Sequence, residues 1–184
     1  MVILGISGSL RADSHNGRLL DAAGREMPAG VRFEVWDGLR DVPPYDEDLD
    51  TPEPPAEVAR LREAFAAADA ILIATPEYNS SIPGCLKNAI DWASRPRAES
   101  PLRFKPVAVM GATTGSFGAV WAQAELRKVL GSAGARVVDG EVALAHAHDA
   151  FAEDGSLKDE GLRQQLHELV QLLAREASPE RIAA

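Results

Sequence analysis

Two loops concentrate the residues able to do chemistry. The first reads Ser7-Gly8-Ser9-Leu10-Arg11-Ala12-Asp13-Ser14-His15-Asn16. It offers hydroxyls at Ser7, Ser9 and Ser14, an amide at Asn16 and a guanidinium at Arg11, just ahead of an apolar-periodic segment. A phosphate monoester needs several donors converging on its oxygens, and a helix N-terminus adds free N–H groups and a positive dipole end. The same residues also fit a plainer use, with Ser14 and Asn16 capping a helix and Arg11 in water. The second loop, Thr75-Pro76-Glu77-Tyr78-Asn79-Ser80-Ser81-Ile82-Pro83-Gly84, displays an aromatic between two stiffening prolines. A flat heteroaromatic ring could lie there, with backbone amides at its polar edge and Tyr78 at one side. The alternative is an ordinary rigid loop with Tyr78 in the core and Glu77 in water.

Other groupings carry less. Asp46, Asp48, Asp50 and Glu57 occupy positions one, three, five and twelve of a calcium-loop pattern, but Thr51 stands where glycine is needed and Pro52, Pro54 and Pro55 follow. His146-x-His148 has no third ligand nearby. Cys85, the only cysteine, excludes an intrachain disulfide and reads as buried filler. Lys87 and Asp91 read as a helix-surface pair. No metal site and no Ser-His-Asp grouping is expected, and no side chain is assigned as a catalytic acid or base.

The elements that must position the two loops follow from periodicity. Apolar runs at 2–6, 31–36, 70–75 and 106–111 read as strands, and 136–138 starts a fifth, which the stretch 140–151 interrupts or extends. Helical stripes fall at 16–27, 56–68, 83–94, 119–133 and 161–174. Residues 37–55, rich in proline and acid, read as a long surface loop. The order is βα repeated five times over one domain, 1–184. Strands apolar throughout imply a parallel sheet covered on both faces, with ligands beyond the carboxyl ends of its strands. The helix at 83–94 carries Leu86, Ala89, Ile90 and Ala93 on its stripe. Trp92 lies off that stripe and is expected to anchor a subunit interface, with Tyr45 on the same side.

Composition sets the outer bounds. The 184 residues suffice for a core, and the net charge of −9 argues against nucleic acid as partner. No apolar run reaches the ~20 residues of a membrane span, and the N-terminus lacks a secretory pattern, so a cytoplasmic protein is expected. Neither Gly-x-Gly-x-x-Gly nor a Walker loop is present. A phospho-receiver domain, which needs an acidic cluster after strand one, is excluded by Ser7-Gly8-Ser9.

Gly8-Ser9-Leu10-Arg11-x-x-Ser14-x-Asn16 and Thr75-Pro76-Glu77-Tyr78-Asn79-x-Ser81-Ile82-Pro83-Gly84-x-Leu86-Lys87-Asn88-Ala89-Ile90-Asp91-Trp92 resemble the NADPH-dependent FMN reductases, whose relatives include chromate and quinone reductases and azoreductases. The resemblance implies a flavodoxin-like three-layer α/β sandwich with a five-stranded parallel sheet. It implies FMN as cofactor and NAD(P)H as co-substrate. Hydride would pass from NAD(P)H to FMN, and electrons then to a small acceptor: a quinone, an azo compound, chromate or free flavin. By resemblance Ser9, Arg11, Ser14 and Asn16 hold the phosphate, with His15 standing where an aromatic is common. Pro76, Glu77, Tyr78 and Asn79 line the ring, while Thr113, Gly115 and Ser116 close over it from the loop after strand four. A homodimer or homotetramer with the flavin near the subunit boundary is also implied. A flavodoxin-type electron carrier, binding FMN without turning over NAD(P)H, is the rival reading.

Overall fold

The computed structural model describes residues 1–178; residues 179–184 of the expected domain lie outside the described residues. The strands are β1 (Val2–Ser7), β2 (Arg32–Trp36), β3 (Ala70–Thr75), β4 (Pro106–Ala112), β5 (Arg136–Val137) and β6 (Ala143–Leu144). The helices are α1 (His15–Arg25), α2 (Ala56–Ala67), α3 (Gly84–Ala93), α4 (Val120–Ser132) and α5 (Glu160–Glu176). All pairings within the sheet are parallel, in the order β2-β1-β3-β4-β5, with β6 also on β4.

Alternation along the central strands sorts the core into two layers. Ile3, Leu72, Ala108 and Met110 face Leu19 and Leu20 of α1 and Leu166, Val170 and Leu173 of α5. Leu4, Ile6, Ile71, Ile73, Val107 and Val109 face Val58, Leu61 and Phe65 of α2, Leu86 and Ile90 of α3, and Leu126 and Leu130 of α4. β3 and β4 are buried at every residue. This is the three-layer, flavodoxin-like arrangement that the apolar strands require.

The fifth strand position is filled twice. β5 pairs with the start of β4 and β6 with its end, so the sheet has six strands where five are expected. Arg127 of α4 fills the break. Its guanidinium donates to the carbonyls of Val138 (2.9 Å) and Gly140, which the interrupted ladder would leave unmet.

The stretch at 37–55 is less of a free loop than its composition suggests. It forms two 3-10 turns, Gly38–Asp41 and Glu47–Leu49, and buries Leu39 and Val42. Trp92 lies beneath it and is 0% exposed, which overturns its reading as an interface anchor. Its indole N–H donates to the Pro43 carbonyl at 2.8 Å, its ring meets Tyr45 edge-on at 4.8 Å, and the Asn88 side chain brackets the same segment at Pro43 and Tyr45. The helical stripe tells which face of α3 meets the sheet; it does not tell that this loop covers the adjoining flank. In the same loop Asp50 pairs with Arg62 at 2.7 Å, both largely buried, so this carboxylate serves an ion pair.

Candidate functional site

The strand order reverses between β1 and β3, so the loops after these two strands flank a crevice at the carboxyl edge of the sheet. That is where open α/β sheets bind ligands. The two loops are stitched together at their base. The Gly8 N–H donates to the Ala74 carbonyl at 2.8 Å, and a Cβ on Gly8 would lie 3.2 Å from Pro76.

The loop after β1 presents an array of unused donors. The N–H groups of Leu10, Ala12, Asp13, Ser14 and His15 have no partner among the described residues. Ser14 caps α1: its Oγ accepts from the N–H groups of Asn16 (3.2 Å) and Gly17 (3.3 Å), which leaves its hydroxyl proton for another acceptor. Ser9 Oγ accepts from the Arg11 N–H at 3.4 Å, and Ser7 Oγ braces the Ser9 backbone. Arg11 is exposed and has no carboxylate partner among the described residues. Arg40 reaches across from the Gly38–Asp41 turn and donates to the Leu10 carbonyl at 2.5 Å. Sequence reading did not find it, because no local pattern links positions thirty residues apart. Asn16 has a structural part besides the one expected. It is buried, and its amide spans to β4, donating to the Ala112 carbonyl and accepting from the Ala112 N–H, both at 3.0 Å. It pins the loop to the sheet.

His15 carries the clearest sign of a missing partner. Its Nδ1 is buried and has no hydrogen bond. Desolvation lowers its pKa, and the positive surroundings of Arg11, Arg18 and His148 lower it further. A buried polar atom without a partner is costly, and this one sits at the start of α1 among cations and free N–H groups. That donor set fits a phosphate dianion.

The loop after β3 turns sharply. Tyr78 and Ser81 exchange two backbone hydrogen bonds of 3.0 and 3.1 Å, while Asn79 (φ 53°) and Ser80 (φ 61°) are left-handed. Two positive φ angles at the centre define a type I′ turn, which asparagine tolerates well. The N–H groups of Asn79 and Ser80 have no partner among the described residues. Tyr78 is 51% exposed, so the core-packed alternative fails. Glu77 is not simply in water either. Its carboxylate accepts from the N–H groups of Trp121 and Ala122 at the start of α4, both at 3.1 Å.

The loop after β4 is tied to the segment after β6. Thr113 donates its N–H to Leu144 and accepts from Ala147, each at 3.0 Å, and Gly115 accepts from His146 at 3.1 Å. Thr113 Oγ1 accepts from the Gly115 N–H at 3.3 Å, and Ser116 is exposed. Phe117 and Trp121, both exposed, stack edge-on at 5.0 Å beside this loop. Neither was singled out from sequence, although two aromatics at the start of a helix were a visible signal. The remaining expectations are simple to place. Lys87 and Asp91 form their ion pair at 2.7 Å. Cys85 is half-buried, its thiol pKa is raised by burial, and it sits 3.7 Å from the Gly8 carbonyl. His146 and His148 pack ring against ring, and no metal-binding cluster occurs among the described residues.

A model of the family described as NADPH-dependent FMN reductase matches residues 1–149. The chain belongs to that family. With membership come the enzyme class, oxidoreductase, and the molecules that class handles, FMN and a nicotinamide dinucleotide. An NAD(P)H-dependent FMN reductase of Pseudomonas aeruginosa is 44% identical over 172 residues, 93% of this chain and 92% of that one. A 2-hydroxy-1,4-benzoquinone reductase of a Burkholderia species is 38% identical over 163 residues, covering 88% and 87%. Among solved structures, the flavoenzyme NAD(P)H:(acceptor) oxidoreductase FerB from Paracoccus denitrificans superposes with a TM-score of 0.82 at 34% identity, covering 95% of this chain and 98% of that one. Both long motifs of this FMN reductase family member fall within the matched residues, at the crevice described above.

Proposed function

We propose that the chain is an FMN-loaded NAD(P)H:quinone reductase whose phosphate cradle is the loop after β1. The observation that carries this reading is the orphaned Nδ1 of His15 amid the free N–H groups of Leu10 and Ala12 to His15. Arg11 and the Ser9 and Ser14 hydroxyls complete the donor set, and Asn16 holds the loop in place through Ala112. Bound FMN supplies the two-electron chemistry that no side chain here could. The chain contributes binding, orientation and polarity. The Asn79 and Ser80 N–H groups give the polar edge of the ring donors whose own partners are vacant. Tyr78 would supply an aromatic flank, and Thr113, Gly115 and Ser116 would add a rim from the loop after β4. No acid or base is assigned, because accepting and passing on electrons at the ring requires none from the chain.

A quinone is the acceptor favoured by the names of the relatives, which include quinone reductases of Pseudomonas putida and Escherichia coli. Azo compounds, chromate and free flavin belong in the same acceptor panel. No helix among the described residues is long and apolar enough to cross a membrane, and NAD(P)H as reductant supports a cytoplasmic location. The family resemblance supports a homodimer or homotetramer. The test of the cradle is a paired titration of the apoprotein with FMN and riboflavin. FMN binds more tightly by at least one to two decades, roughly the worth of a charge-assisted contact; equal affinities would refute a phosphate cradle.

A further inference from the structure

Helix α4 starts without a cap of its own. Ala119 stands at the cap position in the left-handed conformation (φ 62°), and a methyl group accepts no hydrogen bond. Gly118 before it is also left-handed (φ 59°), and so close to Ala143 that a Cβ would lie 2.4 Å from that residue's carbonyl carbon. The backbone is thus held in place, but the first N–H groups of the helix need an outside acceptor. Glu77 provides it from forty-four residues away. A carboxylate at the positive end of a helix is favoured by the dipole and by two charge-assisted hydrogen bonds. Among the described residues, these are the only side-chain hydrogen bonds that join residues 76–82 to a distant element.

The position of Glu77 gives the bond a second consequence. The residue directly precedes the Tyr78–Ser81 turn, whose Asn79 and Ser80 N–H groups are free. Seating the carboxylate on α4 fixes the entry to that turn. It also spends the negative charge on the helix end.

We propose that Glu77 is a positioning residue: by capping α4 it holds the Asn79–Ser80 donors where they stabilise the negative charge that the bound cofactor acquires on reduction. This rests on the reading that the ring of FMN lies against this turn. A residue that only stabilised the helix would affect both redox states of the cofactor alike. One that sets the donors favours the reduced state.

The experiment is a measurement of the midpoint potential of bound FMN, with the affinity for oxidised FMN, in the wild type and in Glu77→Ala, Glu77→Asp and Glu77→Gln. Glu77→Ala removes the cap. Glu77→Asp keeps the charge but is one methylene too short. Glu77→Gln keeps an accepting oxygen at the right reach. The Ala and Asp variants lose roughly tenfold more affinity for the reduced than for the oxidised cofactor, the worth of about one displaced hydrogen bond. This appears as a lowered potential, and Gln restores most of it. An unchanged potential in both Ala and Asp, with lower thermal stability alone, would overturn the proposal, as would a Gln variant no better than Ala. If Glu77→Ala does not fold, the Asp and Gln pair decides by the same criterion. A wild-type chain that retains no FMN overturns the cofactor reading and this proposal together, and it shows itself before any variant is made.

Discussion

Arg11 and Asn16 lie five positions apart in one loop, yet the structure gives them opposite duties. Arg11 is exposed and has no carboxylate partner among the described residues; Asn16 is buried and wholly engaged with Ala112. Removing Arg11 therefore tests ligand binding with little effect on the fold. Arg11→Ala weakens FMN binding by roughly one to two decades, since a charge-assisted contact is worth about 1.5–3 kcal/mol. Arg18→Ala is the comparison, because its guanidinium is already stacked 4.3 Å over the Phe151 ring. Equal losses in the two variants on FMN titration would mean that Arg11 contributes only general positive charge. His15 yields a prediction about pH. Its pKa is held below 6.5 in the folded, unloaded chain, by desolvation first and by Arg11, Arg18 and His148 next. The unfolded chain thus takes up a proton near pH 6.5 that the folded chain refuses. By linkage, stability falls as pH drops through 6.5 and levels off below the folded pKa. Denaturant midpoints of the apoprotein between pH 8 and 5 decline more steeply in the wild type than in His15→Gln. Parallel curves would show that the imidazole pKa is the same in the folded and unfolded chains.

Elements were legible in the sequence wherever one local period decided them, and illegible where a distant segment did. β3 and β4 are apolar at nearly every position, and only a sheet covered on both faces buries such strands. The long motif at 75–92 falls where it should, at the end of β3 and along α3. The fifth strand was seen only in part, because its break depends on Arg127 reaching over from α4. Glu77 was placed beside the ring but not on α4, and Asn16 was placed on the phosphate but not on Ala112, ninety-six residues away. Trp92 was misread for the same reason: helical spacing gave its direction on α3, but the cover came from the loop at 37–55. The correction has a measurable consequence. Trp92→Phe loses the hydrogen bond to Pro43 and some packing, and it costs about 1–3 kcal/mol of stability in denaturant unfolding. Its sedimentation across a dilution series matches the wild type. A variant of unchanged stability that dissociated into smaller species would restore the interface reading.

At the scale of the whole molecule, a chain of net charge −9 brings Arg11, Arg40 and free helix-end N–H groups to one crevice. The reversal of strand order puts that crevice beside a turn with vacant donors. Exposed aromatics stand beside it, Tyr78 and Phe117 on loops and Trp121 at the start of α4. Unpartnered N–H groups after β1, a turn with vacant donors after β3 and exposed aromatics beside them are what the proposed reductase needs, since its site would admit a nicotinamide and then an acceptor. A carrier that only held FMN would need no such reductant. The deciding measurement is an anaerobic mixing experiment on the FMN-loaded protein, followed at about 450 nm, where a flavin absorbs. NADPH or NADH bleaches the band, and addition of a quinone restores it over repeated cycles. If dithionite bleaches the protein while neither nicotinamide does, the protein is an electron carrier and not a reductase.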